Sequence, residues 1–343
     1  MKGVFEEEKL KSVASYLANA KRVVISTHKS PDGDAIGSSL ALGLYLKKIG
    51  IEMVHVVVPD GYPDFLKWIP GQEMVLNHDR APEKVERAIQ EADLVFCLDY
   101  NVRYRAGKVG GLLEQVEGPF IMIDHHQQPD TFAQVVFSDV TSCSTAQMIF
   151  QFIESRGDLA LLDNQIGQGI YCGIMTDTGS FRFPSVDPQT HQIASWLIER
   201  GMNHAAIHRA VYDTNSIGRL KLLGYSLAEK LEVFADCHLA IISLTDDELK
   251  KFDYKSGDTE GFVNYALSIE GVNIAAFVRE GNNGLRISFR SNGTFDVNEF
   301  ARKHFSGGGH KNAAGGSFDG NVESTLAYLK NVIIEYKNQL DYE

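Results

Sequence analysis

Apolar and polar positions along the chain alternate between two periods. Arg22–Thr27 (RVVIST) is a short, almost continuous apolar run, as a strand buried on both faces requires. Ala35–Ile49 follows with helical spacing and stops at Gly50, a residue suited to ending a helix. Glu52–Val58 is a second β-branched run, and Pro82–Ala92 is helical. Asp93–Leu98 (DLVFCL) and Pro119–Ile123 (PFIMI) are strands; Ser144–Ser155 and Asn164–Tyr171 are helical. This rhythm predicts an α/β unit, a mostly parallel sheet flanked by helices. From about Asp187 to Glu232 the pattern is helical with no clear strand. Strand patterns return from His238 as HLAIISL, VNIAAFVRE and GLRISFRS, between helical stretches at Asp246–Phe252, Glu260–Ile269, Val297–His304 and Val322–Gln339. The expected organisation is an α/β domain over 1–186, a helical linker over 187–232 and a smaller α/β domain over 233–343.

Composition narrows the class. A chain of 343 residues suits two domains. Its 33 Lys+Arg against 45 Asp+Glu give a formal charge of −12. That excludes a broad basic surface for long duplex nucleic acid but not an enzyme for a small anion. No apolar run approaches the ~18–20 residues of a membrane span, so no membrane partner is expected. The first ten residues carry Glu6, Glu7 and Glu8 and show no signal-peptide pattern. Cys97, Cys143, Cys172 and Cys237 are widely spaced, with no CxxC pair, which suits a reducing cytoplasm.

The chemistry-bearing segments fall at strand or helix ends. His28, Asp32 and Asp34 follow the first strand, with Pro31 and Gly33 forcing a turn between them. Asp99 ends the strand Asp93–Leu98. Asp124, His125 and His126 end the strand Pro119–Ile123, and Asp177 follows the apolar stretch Ile166–Met175. Each alone has an ordinary explanation as a turn, a helix cap or an unrelated histidine pair. Together they offer carboxylate and imidazole without thiolate, a donor set for manganese, iron or magnesium. His28, Asp32, Asp34, Asp99, His125 and Asp177 would supply six ligands to a two-metal phosphoesterase site.

Five segments in order carry a family resemblance: THKSPDGDAIGSSLAL, FCLDYN, MIDHHQ, GIMTDTGSFRF and the C-terminal GGGHKNAAGG. The chain resembles the DHH phosphoesterase superfamily with its DHH-associated C-terminal domain, and is similar in arrangement to stand-alone bacterial oligoribonucleases. The resemblance implies a DHH dimetal domain followed by a substrate-binding domain. It implies a manganese-dependent 3′-5′ phosphodiesterase for very short oligonucleotides that also dephosphorylates 3′-phosphoadenosine 5′-phosphate (pAp), with magnesium, cobalt or iron as alternative ions. It makes His28, Asp32, Asp34, Asp99, His125 and Asp177 the ligands, with Asp99 bridging. Asp124 and His126 become catalytic or orienting residues; His126 is either a general acid or donor to phosphate, or a ring that orients others. A basic residue is expected after Asp99, and both Arg103 and Arg105 are candidates. Where relatives carry Asn after the DHH triplet, this chain reads Gln127-Gln128-Pro129-Asp130. A phosphodiesterase for linear or cyclic signalling dinucleotides and an inactive nucleotide-binding regulator are the alternatives.

The glycine run Gly307–Gly309 lacks GK[ST], which excludes a Walker A loop. Glycines allow close backbone approach and can present N–H groups to an anion; a flexible surface loop is the alternative. Residues 279–311 hold six Lys/Arg against three acids. Arg286, Ser288 and Arg290 alternate and should share one strand face. The resemblance assigns Arg290, Ser291, Gly307, Gly308, Gly309 and His310 to the substrate's terminal phosphate or end nucleotide. Expected partners are short single-stranded RNA or DNA and small nucleotides, bound by a monomer or homodimer. Phe181 and Phe183 are candidates for stacking a base, or for core packing.

Overall fold

A computed structural model describes residues 4–281 and 284–340. The chain divides into two compact units, 1–214 and 215–343. The first runs α1 (Glu7–Asn19), β1 (Arg22–Ser26), α2 (Gly33–Lys48), β2 (Met53–Val58), β3 (Val75–Asn77), α3 (Pro82–Gln90), β4 (Leu94–Leu98), α4 (Gly107–Leu113), β5 (Phe120–Asp124), β6 (Val135–Ser138), α5 (Thr145–Ser155), α6 (Asn164–Asp177), α7 (Pro188–Glu199) and α8 (His204–Tyr212). The second runs α9 (Ile217–Glu229), β7 (Leu231–Phe234), β8 (Leu239–Leu244), α10 (Asp246–Lys251), α11 (Phe262–Leu267), β9 (Ile274–Arg279), β10 (Leu285–Ser291), α12 (Val297–His304), β11 (Gly308–His310), β12 (Ala313–Phe318), α13 (Val322–Ile333) and α14 (Lys337–Leu340).

The first sheet has order β3-β2-β1-β4-β5-β6, with every neighbouring pair parallel. Alternate strand residues serve opposite faces. Val23 and Ile25 pack into one core with α2, α5 and α6, whereas Val24 packs into another with α3 and α4. Both faces are therefore apolar, which explains the unbroken hydrophobic runs. The strand order reverses between β1 and β4, a topological switch point where loops at the carboxyl ends open a crevice.

The second sheet, β11-β12-β10-β9-β8-β7, is mixed: β8 and β9 are parallel and the other neighbours antiparallel. Its faces too are divided, α12 and α13 covering one and α9, α10 and α11 the other.

Some local expectations are corrected. The helical stretch 187–232 forms no unit of its own. In α7, Ile193, Ala194 and Leu197 join the first unit's core, while Leu222 of α9 joins the second's. The glycine run is part of a hairpin, not a free loop: Gly308 pairs with Gly315 and His310 with Ala313. A Cβ on Gly309 would lie 2.4 Å from the Ala313 carbonyl oxygen, so that close approach requires glycine. No helix among the described residues is long and apolar enough to cross a membrane.

Candidate active site

The crevice at the β1/β4 switch point gathers the expected residues. After β1 the chain turns through Ser30, whose N–H and hydroxyl donate to Asp60. Asp32 then caps α2. Its Oδ1 accepts from the N–H of Asp34 and of Ala35, each at 3.0 Å, while Oδ2 faces His28 Nε2 at 3.9 Å. The helix cap and the candidate ligand are thus one residue. Because α2 begins at Gly33 and not Ala35, Asp34 lies in its first turn.

Asp34 is buried and accepts from the backbone N–H groups of Thr145 (2.7 Å) and Ala146 (2.8 Å), the start of α5. A helix N-terminus stabilises a carboxylate there. Asp99 follows β4 with φ of 63°, a left-handed conformation costly for a residue with a Cβ. That turn sets its two oxygens on different neighbours. Oδ2 lies 3.3 Å from His28 Nε2, and Oδ1 lies 3.5 Å from His125 Nε2. The Thr145 hydroxyl donates to the same Oδ1 at 3.0 Å.

Both candidate histidine ligands are oriented alike. His28 Nδ1 lies 2.9 Å from the Lys29 carbonyl oxygen and His125 Nδ1 3.1 Å from that of Ser142. A proton on Nδ1 satisfies each carbonyl and leaves Nε2 as the lone-pair donor, the usual setting of a metal-binding imidazole. His125 Nε2 also lies 3.5 Å from Asp177 Oδ2 and 3.8 Å from Asp34 Oδ2. Asp177 is the last residue of α6. His126 pairs with a different carboxylate: its Nδ1 lies 2.7 Å from Oδ1 of the fully buried Asp124 and 3.8 Å from Asp99 Oδ1, and Asp124 Oδ2 accepts from the His126 N–H.

Two donor groups hold the six candidate ligands, His28–Asp32–Asp99 and Asp34–His125–Asp177, each with ligand atoms within 4.8 Å of one another, and a further group, Asp99–Asp124–His126, adjoins them through Asp99. Their charge is unbalanced. Burial, then the charges of Asp99 and Asp177, push the Asp34 carboxyl well above the usual range. Burial also acts to raise Asp99, but bonds to His125 and His28 hold it well below. His125 is pushed well up despite burial, chiefly by Asp99 and Asp177. Burial, then the Arg105 charge, holds His126 well below its ordinary range, so its ring is neutral here. A crowded, oxygen-rich cluster short of positive charge fits divalent cations. The nearby Cys143 thiol is pushed up to about 12, mainly by burial, and offers no thiolate.

A family model for the N-terminal domain of the DHH family matches residues 22–174, and a DHHA1 domain model matches residues 238–335. This chain belongs to the DHH family. It is a hydrolase acting on phosphate ester bonds, in a family whose phosphoesterases depend on metal ions. The chain is 33% identical, over 91% of its length and 89% of the relative's, to a bifunctional oligoribonuclease and PAP phosphatase, NrnA, of Thermus thermophilus. A cyclic-di-AMP phosphodiesterase, GdpP, of Geobacillus thermodenitrificans is 24% identical over 93% of this chain but only 48% of that protein. A crystal structure of an exopolyphosphatase-related protein from Bacteroides fragilis superposes with TM-score 0.93 at 39% identity, covering 99% of this chain and 100% of that one.

In the second unit of this DHH chain, Arg286, Ser288 and Arg290 share the half-buried face of β10, as alternation requires. Ser291 falls on the opposite face. It is buried, its hydroxyl donates to the Phe295 carbonyl and accepts from Asn312 Nδ2, and it ties down a turn. Gly307, Gly308, Gly309 and His310 lie in or beside β11, and the Gly309 N–H donates to Asn298 Oδ1 at 2.8 Å. Thr145, Ala146 and Ser142 were not anticipated. Their polar run before an apolar helix was the available signal.

Proposed function

We propose that the protein is a manganese-dependent exoribonuclease that degrades very short oligoribonucleotides to mononucleotides and removes the 3′-phosphate of pAp. One observation carries the reading: Asp99 turns one oxygen to each donor group. His28, Asp32 and Asp99 would hold one ion, and Asp34, His125 and Asp177 the other, with Asp99 shared. Bound divalent ions supply Lewis acidity to a phosphoryl group and a water of lowered pKa. No side-chain general base is then required of the chain. Asp124 holds the His126 ring in place, and a neutral imidazole suits an orienting or hydrogen-bonding role toward phosphate better than that of an acid. Arg290, the glycines 307–309 and His310 bind the substrate's terminal phosphate or end nucleotide, Ser291 supporting them through the turn it fixes. Small soluble substrates and free, widely spaced cysteines suit a cytoplasmic enzyme.

The likeness to NrnA along nearly the full length of both chains supports this reading over cyclic-dinucleotide hydrolysis. The test is a product-resolved assay with Mn2+ on a 5′-phosphorylated dinucleotide, a longer oligomer, pAp, a cyclic dinucleotide and pyrophosphate. Dinucleotide and pAp should be consumed, and Asp99→Ala should abolish both activities. Turnover of the cyclic dinucleotide without the linear one would overturn the assignment.

A further inference from the structure

The six residues after Asp99 include two arginines that sequence does not distinguish, and the structure sends them to different places. Arg103 is packed away. Its guanidinium carbon lies 5.2 Å from the ring centre of Phe120 and 4.7 Å from that of Phe132, on the face covered by α3 and α4. Arg105 belongs to the same short 3-10 turn (Arg103–Ala106), two residues further on. Its charge bears on His28, Asp124 and His126, which lie at the carboxyl ends of β1 and β5.

The turn is anchored on both sides. The Lys29 N–H donates to the Arg105 carbonyl oxygen at 2.7 Å, fastening it to the His28 loop. On the other side Asn101 Nδ2 donates to the carbonyl oxygens of His126 (3.0 Å) and Gln127 (2.9 Å). Arg105 is thus positioned by backbone bonds that leave its head group uncommitted. Although its charge reaches Asp124, the half-buried Arg105 side chain makes no ion pair or hydrogen bond among the described residues. A cation whose charge reaches the buried Asp124 without pairing with it is free for a different anion. The planar guanidinium matches phosphate in two-pronged fashion, whereas the metal ligands are acceptors and cannot donate to phosphoryl oxygens.

We propose that Arg105 is a substrate-binding catalytic residue that donates to the non-bridging oxygens of the phosphoryl group under attack. This rests on the phosphoesterase reading above and assigns the side chain that reads the scissile phosphate. Because that contact strengthens as charge accumulates on those oxygens, its loss should lower kcat more than it raises KM.

The test compares wild type with Arg105→Ala, Arg105→Gln and Arg105→Lys on a 5′-phosphorylated diadenylate and on bis(p-nitrophenyl) phosphate. Removing the guanidinium should lower kcat/KM by about 10²–10³-fold on both substrates, mostly in kcat. Lysine, a point charge without the fork, should fall between. Millimolar guanidinium ion should restore part of the Arg105→Ala activity. Calorimetric Mn2+ binding should be kept, while inorganic phosphate should bind the Mn2+-loaded Ala and Gln variants at least tenfold more weakly. Activity within threefold of wild type in the Ala and Gln variants overturns the proposal. So does loss of Mn2+ binding together with activity, unrescued by guanidinium, since Arg105 would then act through the metal centre or the fold. If wild type hydrolyses neither substrate, the functional reading fails; the phosphate comparison still decides Arg105.

Discussion

At the scale of single residues, the site depends on donors that carry no family letter. Thr145 is fully buried and uses its hydroxyl on Asp99 and its N–H on Asp34, one carboxylate from each donor group. Residues that orient metal ligands in this way are typically worth about 10–100-fold in metal affinity. Thr145→Val should therefore weaken Mn2+ binding by about that factor in a calorimetric titration, with the circular dichroism spectrum unchanged. Thr145→Ser should recover most of it; equal affinity in wild type and Thr145→Val would remove the hydroxyl from the account. The convergence of the six candidate ligands was legible because carboxylates and imidazoles at strand ends have few other reasons to recur in one order. Thr145 was not, since a hydroxyl and two backbone N–H groups can belong to any helix start. The choice between Arg103 and Arg105 was also closed to sequence, because residues two apart in a 3-10 turn diverge in a way no composition records.

At the scale of elements, the strands buried on both faces and the helices between them follow the apolar pattern closely. The pattern missed α1, whose charged surface conceals the buried pair Val13 and Leu17, and β3, β6 and β7, which are only three or four residues long. It also could not show how tightly α2 and α6 cross. A Cβ on Gly37 would lie 2.4 Å from the Gly169 carbonyl oxygen and 3.1 Å from the Gly173 nitrogen. Those atoms are backbone and cannot turn aside, so the helices must separate. Gly37→Ala should cost about 1–3 kcal/mol in urea unfolding. Since α2 carries Asp34 and α6 carries Asp177, metal affinity should fall in the same variant.

A second element makes its own pH signature. Glu248 closes the capping box of α10 with Thr245. Burial acts to raise its carboxyl, but the Thr245 N–H, the Tyr225 hydroxyl and Lys230 together bring it from 4.5 down to about 2. The stability this provides is complete above pH ~4.5 and is lost as pH falls toward 2, with a total on the order of 2–3 kcal/mol. Glu248→Gln should flatten that part of the stability–pH curve in chemical denaturation. An unchanged slope between pH 5 and 3 would show that the carboxylate is not stabilising in this way.

At the scale of the whole molecule, the core clusters separate along the chain. Those built on the parallel sheet use residues up to Ile207, and those of the mixed sheet begin at Leu222. All six candidate ligands lie in the first unit. A ligand that binds only a folded site stabilises whatever unfolds together with that site, by about 2.7 kcal/mol at a hundred times its dissociation constant. For a unit of about 200 residues that is a rise of about 5–10 °C. Calorimetric scans with Mn2+ and with chelator should therefore resolve two transitions, of which metal raises one. Asp99→Asn should cancel the rise and leave the other transition where it is, while Glu248→Gln should act only on the transition that metal leaves alone. If metal instead moves a single transition shared by the entire chain, the two cores unfold as one. The second unit's stability would then be governed by ions held in the first.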